Sequence, residues 1–351
     1  MAKKKRAAEE LRAIPPDLDE DRKLTKLKAD HAALKAKHKE ALKQLGDMEK
    51  QVDSLTALPA VKHRKARRPK RGKPQGEAAA VLVVTDWHSD QLVDPEMVEG
   101  RNEFNSDIFV ARTDVLWDKA LRMLDYARGL CEIDTFYVAA LGDLIGGYIH
   151  EELQESNTMG PEEAIVLVRD RLTFGIDKLR KHCGCQSFNV LCCYGNHGRT
   201  TKRIRHGTGY KTNREWGLYS SMAKHYANHD PDMRWNVAKG YLLTEDIKGN
   251  LVRFQHGHNV RYQGGVGGVT IPANKAQAAW NRNLKTPPQW DIIGHWHQFL
   301  RQEGMILCPS LIGYDAFALS IKAQYQDPAQ AMVVFDREKG VVMAEKVFVT
   351  E

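Results

Sequence analysis

LCCYGNHG, residues Leu191 to Gly198, is the stretch from which this chain is best read. A short apolar run rich in Leu and Cys reads as a buried strand, and it stops at a glycine. An amide, Asn196, and an imidazole, His197, follow directly. Asn is disfavoured in strands, whereas His ligates metal or moves a proton near neutral pH. Gly-Asn is also an ordinary turn signal, so the triplet has no meaning in isolation. Its weight comes from four further stretches built the same way.

The chain has 351 residues, 42% of them hydrophobic, which is enough for one large domain with an appendage or for two domains. No run approaches the roughly 20 apolar residues that span a bilayer, so no membrane partner is expected. The N-terminus, MAKKKRAAEE, lacks the apolar segment of a secretion signal, and a cytoplasmic location is expected. The six cysteines include Cys192 beside Cys193, and Cys183 one residue from Cys185. Neither spacing suits a zinc ribbon or a disulfide framework, so reduced core thiols are expected.

Charge is unevenly placed. Residues 1–77 hold 22 Lys and Arg against 12 Asp and Glu, which leaves 30 against 33 of the totals 52 and 45 for residues 78–351. The basic character therefore belongs to the N-terminal extension. Residues 1–19, with Pro15 and Pro16, read as a mobile tail. Over residues 20–58 a heptad register appears: Leu24, His31, His38, Leu45 and Val52 interleave with Leu27, Leu34, Ala41, Met48 and Leu55. That spacing argues for a coiled-coil helix and a homo-oligomer, the alternative being one amphipathic helix lying on the body. Pro59 ends it. Residues 59–77 form a polybasic linker, with eight Lys or Arg between Lys62 and Lys73 and with prolines and glycines that keep it unfolded. Nucleic-acid phosphates are the obvious partner for residues 62–73, a solubility tether the bland alternative.

The folded body is read as residues 78–351. AAAVLVVT (78–85), TFYVAAL (135–141) and SFNVLCCY (187–194) are strand-length apolar runs, separated by helical periodicity over 107–128 and by a helix opened by Pro161. This alternation predicts an α/β domain with ligands gathered at the carboxyl ends of its strands. Residues 199–235 read as a basic insertion, beginning RTTKRIRHGTGYKTNR (199–214), with a helix from about Glu215 to Ala227. The second half is β-rich, through LVRFQ, WDII, MILCPS, AMVVFD and VVMAEKVFV.

Five of these apolar segments end in a metal-capable cluster: Asp86 with His88, Asp143, Asn196 with His197, His256 with His258, and His295 with His297. Any one of them is more simply a turn, cap or surface residue. Five on one rim need partners or cations. In extended backbone, residues i and i+2 face the same side, so Asp86 and His88 can address one ion together. A donor set of oxygen and nitrogen without thiolate suits Mn²⁺, Fe²⁺, Zn²⁺ or similar ions, and it exceeds what one ion needs.

The ordered motifs DWH, GDL, GNH, HGH and GHWH resemble those of the calcineurin-like metallophosphoesterase superfamily, over roughly residues 80–315. The resemblance implies a four-layer α/β/β/α sandwich holding two divalent cations, Mn²⁺ first among them, with Fe²⁺, Zn²⁺ or Mg²⁺ as alternatives. It implies that Asp86, His88 and His297 bind the first metal, that Asp143 bridges, and that Asn196, His256 and His295 complete the second. It further implies a metal-bridging hydroxide as the nucleophile, and His197 as the group that meets the phosphate and the leaving oxygen rather than a metal. His258 is expected to face substrate or support a ligand.

The chain departs from the pattern at Gly198, where the motif has Asp or Glu. A second departure is the LIGG after Asp143, which is unlike phosphoprotein phosphatases. The basic segments favour a DNA or RNA nuclease, resembling the SbcD-type exonucleases in its motifs, with Arg199, Lys202 and Arg203 as substrate contacts. A phosphodiesterase or phosphatase acting on nucleotides, another small phosphoester or a phosphoprotein is the second reading. A coiled-coil nucleic-acid-binding or scaffold protein without activity is the third, and the intact ligand set argues against it.

Overall fold

The computed structural model describes residues 77–261, 268–320 and 322–350, together with 26–28, 31, 34–40 and 42–43. The chain divides into two compact units, Met1–Arg71 and Gly72–Glu351. In the first unit the described residues are helical, and the heptad positions Leu27, His31, Leu34 and His38 among them are exposed. The tail over 1–19, the rest of the heptad register and the polybasic 62–73 segment lie outside the described residues.

The second unit is built on β1 (Glu77–Val84), β2 (Glu132–Ala140), β3 (Ser187–Cys192) and β4 (Met233–Val237). These four run parallel, and β10 (Ala329–Asp336) and β11 (Gly340–Phe348) extend them antiparallel in the order β11-β10-β1-β2-β3-β4. A second sheet joins β5 (Leu242–Ile247), β6 (Asn250–Gln255), β7 (Trp290–Ile293), β9 (Met305–Leu307) and β8 (Leu300–Gln302) in that order, with β6, β7 and β9 parallel.

The apolar run of β1 is continuous because both of its faces are covered. Ala80, Leu82 and Val84 point to a helical layer of α1 (Ser106–Ala127), α3 (Pro161–His182) and α4 (Arg214–His229), where they join Leu116, Trp117, Leu172 and Leu218. The alternate residues Ala79, Val81 and Val83 meet Val252, Phe254 and Ile292 of the second sheet. On that sheet's other face, Ala273 of α5 (Thr270–Asn281) packs on Ile293, Met305 and Leu307. The order of layers is helix, sheet, sheet, helix.

Local sequence fixes the helix starts. Asn105 caps α1 by accepting from the Asp107 and Ile108 N–H groups, and Asn213 caps α4 by accepting from those of Glu215 and Trp216. Pro161 opens α3. Of the stretch read as an insertion over 199–235, residues 214–229 form α4 and 233–237 form β4. Leu218, Tyr219 and Met222 are core residues, and only the loop before Arg214 stands outside the layers. Besides the single helical turns Pro95–Val98 and Gly209–Thr212, three elements went unread in the sequence: α2 (Glu151–Ser156), β8 and α6 (Ala316–Ser320). Each is too short to show a period. All six cysteines are free thiols. Among the described residues no helix is long and apolar enough to cross a membrane.

Candidate metal centre

Parallel strands end on one side, so β1, β2, β3 of one sheet and β6, β7 of the other deliver their following loops to a common rim. The loops are locked together by backbone. The Asp86 N–H donates to Gly142 O at 3.0 Å, and the His88 N–H to Asp143 O at 3.1 Å. Gly142 lies in left-handed backbone, with φ of 89°, and a Cβ there would overlap the Gly195 backbone. A Cβ on Gly195 would overlap the Asp143 carboxylate in turn. Only paired glycines let the loops carrying Asp143 and Asn196 approach this closely. Trp87 anchors the first loop: its ring is fully buried against Phe109 and Trp117, and its Nε1 donates to Gln330 Oε1 at 3.0 Å. Truncating such a ring to Ala costs about 3–5 kcal/mol.

Three groups of ligand atoms result, each with all its atoms within 4.8 Å of one another: Asp86, His88 and His297; His88, Asp143 and His197; Asp143, His256 and His295. Asp86, His88, Asp143, His295 and His297 all have left-handed backbone, with φ between 46° and 71°. Such values are uncommon for residues with a side chain and gather at functional sites.

The donor chemistry fits cations. His256 Nδ1 faces the Leu141 carbonyl at 2.9 Å, which can only accept, so Nδ1 carries a proton and Nε2 is the nitrogen turned to Asp143 Oδ2, at 2.8 Å. His88 Nε2 and His297 Nε2 face each other at 3.3 Å, with Asp86 Oδ1 3.4 Å from the latter. Asp86 Oδ1 and Asn196 Oδ1 are buried without a hydrogen-bond partner. Converging lone pairs of this kind cost free energy unless a proton or a metal sits among them.

The electrostatics agree. Burial alone would raise the Asp86 carboxyl, but His297 beside it, 3.4 Å away, and the charge of His256 outweigh it and hold the pKa at about 2. Asp143 is held well below the carboxylate range in the same way, burial being outweighed by His256 and His197. Burial works against the charge on His256, yet Asp143 and Asp86 raise it to about 9. His295 falls to about 3, through burial and then the charge of His256.

His197 is drawn in with the candidate ligands. Its N–H donates to Asp143 Oδ1 at 2.7 Å, and its Nδ1 donates to Gly146 O at 2.6 Å, which leaves Nε2 free 3.9 Å from Asp143 Oδ2. His258 stands beside the centre, its ring 5.6 Å from that of His256, and lines a recess with Tyr194, Asn196, Arg199 and Tyr241. Arg199 is fixed there by donating to the Asn196 and Thr201 carbonyls. All four of Lys202, Arg203, Arg205 and His206 are exposed, and of these Arg205 and His206 line the recess whereas Lys202 and Arg203 do not.

Three further residues belong to the site and were not singled out in the sequence. Asp90 accepts from the Gly146 and Gly147 N–H groups and so supports the carbonyl that holds His197. It stands two residues beyond His88, but the backbone at Asp86 and His88 is left-handed rather than extended as expected, so strand alternation is not what brings these side chains together. The His150 ring lies 6.2 Å from that of His197. Glu215, fully buried, accepts from Leu144 N at 2.6 Å and from Gly195 N at 2.8 Å.

No family model matches the chain, and neither does any curated protein. Among solved structures it is similar to Vps29 from Chaetomium thermophilum, at 11% identity over 76% of this chain and 94% of that one, with a TM-score of 0.27. It is similar to the sulfate thiohydrolase SoxB of Thermus thermophilus, at 9% identity over 79% and 57% of the two chains, with a TM-score of 0.30. Phosphopantetheinyl hydrolase from Mycobacterium tuberculosis is matched at 9% identity over 65% and 87%, with a TM-score of 0.24. These likenesses are remote, and it is the geometry of the donor atoms that defines the candidate site.

Proposed function

We propose that this chain hydrolyses phosphodiester bonds with two divalent cations, Mn²⁺ foremost, and that its substrate is nucleic acid. One observation carries the reading: neighbouring groups of ligand atoms share a residue, His88 between the first and second and Asp143 between the second and third, so the donor set is continuous and large enough for two ions. Asp86, His88 and His297 would hold one, Asn196, His256 and His295 the other, and Asp143 would serve both. Cations so held supply Lewis acidity toward phosphoryl oxygens and lower the pKa of water between them. With Nδ1 fixed on Gly146 O, His197 presents Nε2 to the site, where its doubly protonated form would give the Nε2 proton to the leaving oxygen and return to the neutral ring.

Nucleic acid is supported by the basic loop: Arg199, Arg205 and His206 stand next to Asn196, where a phosphate backbone leaving the centre would meet them. The polybasic 62–73 segment adds a second basic stretch in the same chain. A small phosphoester is the second reading, and the recess itself favours it, since Tyr194, Tyr241 and His258 close around a limited space.

The purified protein with Mn²⁺ should cleave labelled single- or double-stranded DNA or RNA, and Asp143→Asn should not. Nucleic acid left intact while a small diester is turned over, with that activity lost in Asp143→Asn, would replace the first reading by the second. No turnover of any phosphoester would refute both.

A further inference from the structure

Gly198 stands where the motif that this chain resembles has Asp or Glu, and the structure shows what occupies the space. A Cβ on Gly198 would come within 2.8 Å of Glu215 Cγ and 3.2 Å of its Cδ. Glu215 belongs to the first turn of α4, where an acidic side chain ordinarily faces solvent near the positive end of the helix. Here it is fully buried and turns away from its own helix. One oxygen accepts from Leu144 N, next to Asp143, and the other from Gly195 N, next to Asn196. Asn213, which caps α4, adds a bond from its Nδ2 to Gly195 O at 2.9 Å. Helix, β2 loop and β3 loop are thus joined through one carboxylate.

We infer that Glu215 is a positioning residue. From the start of α4 it supplies the carboxylate that position 198 lacks, and it clamps the loop of Asp143 to the loop of Asn196 and His197. It touches none of the reacting atoms and acts through the two backbone amides it holds. Hydrogen bonds to an ionised acceptor are roughly twice as strong as neutral ones, and two of them fix the separation of the loops. Burial, then the charge of Asp143, raise the Glu215 carboxyl to about 7, and the two backbone amides it accepts from oppose that rise. Ligands shared between two cations require that separation to be held within about half an ångström.

The consequence for metal rests on the two-cation reading, whereas the clamp itself does not. Both are tested by measuring amide hydrogen exchange at Leu144 and Gly195 in the metal-free full-length protein, then Mn²⁺ affinity by calorimetry. Variants are Glu215→Ala, Glu215→Gln and, as a packing control on the same helix, Leu218→Ala.

Exchange at both amides should rise roughly tenfold or more in Glu215→Ala, because two buried donors lose their acceptor. Glu215→Gln, with the same shape and one acceptor oxygen, should restore protection at only one of them. Leu218→Ala should loosen α4 without singling out these amides. Mn²⁺ affinity should fall about 10–100-fold in Glu215→Ala and less in Glu215→Gln.

Exchange within twofold of wild type in both Glu215 variants, or loosening as general as in Leu218→Ala, would overturn the clamp. Loosened amides with unchanged Mn²⁺ affinity would overturn the positioning role. Should Glu215→Ala fail to fold, Glu215→Gln decides alone. A wild-type protein that takes up no metal would refute the two-cation reading, and exchange would still decide the clamp.

Discussion

The carboxylate of Asp86 accepts the backbone N–H of His295 at 2.8 Å, across 209 residues of chain. Asp86 follows the first strand of one sheet and His295 follows β7 of the other. Their bond is a direct tie between the two sheets at the site. The same Oδ2 also takes the Thr85 hydroxyl at 2.7 Å, so Oδ1 is the oxygen left for a cation.

Asp86→Asn is predicted to separate these two duties. The amide oxygen can still accept from His295 N, so the fold should survive, with a denaturation midpoint close to wild type. Loss of the charge should weaken the first metal by at least about 100-fold, more than the loss of a supporting residue. Metal stoichiometry after dialysis against Mn²⁺ checks this, and two tightly held ions in the variant would contradict it.

Metal uptake is predicted to release a proton. In the metal-free chain His256 is protonated up to about 9 through Asp143, and a cation needs the lone pair that this proton occupies. Because this pKa is raised above the ordinary value of 6.5, the pair stabilises the metal-free fold fully below that value. Its contribution is lost as pH rises through about 9. Mn²⁺ affinity should therefore increase with pH toward 9, and calorimetry in buffers of different ionisation heat should show the proton. Heats that do not depend on buffer would contradict the assignment.

Gly198→Ala is predicted to destabilise the protein by about 1–3 kcal/mol through overpacking against Glu215 Cγ and Asn213 Oδ1, both 2.8 Å from the new carbon. Gly207→Ala, in the same basic loop, meets nothing within 4 Å and should be neutral. Urea midpoints of the two variants make the comparison. Equal midpoints would mean that the space beside Gly198 is looser than it stands here.

His197→Ala is predicted to lower kcat by roughly 10²–10⁴ on esters with alkoxide leaving groups. It should have much less effect on nitrophenyl esters, which leave without a proton. A uniform loss on both would assign His197 to metal or phosphate binding, in keeping with its place beside His88 and Asp143.

Removing residues 1–60 is predicted to yield a monomer, on the heptad spacing of Leu27, Leu34, Leu45 and Leu55. Light scattering checks it. An unchanged mass would show that the body associates by itself or that the heptads form no coiled coil.

Much of the site could be read along the chain. Asp86, Asp143, Asn196, His256 and His295 each stand just after an apolar run, because a strand buried on both faces has to be apolar and its end is the first place a polar group can stand. Donor types and their order were therefore visible, as were the helices α1, α3 and α4. Glu215 was not. In sequence it is an acid in the first turn of a helix, and nothing local distinguishes it from an exposed one. Arg205 and His206 could not be separated from Lys202 and Arg203 either, since all four belong to one basic loop.

The sequence by itself determined the alternation of strands and helices and the chemistry of the donors, because both depend on neighbours in the chain. Tertiary structure alone decided which donors stand within reach of one another, which ring nitrogen of His256 and His197 faces a backbone carbonyl, and that Glu215 fills the space beside Gly198. Those depend on carbonyls, amides and volumes brought from residues as far apart as Asp86 and His295. No local pattern encodes such a distance. It is set by the register of two sheets packed face to face.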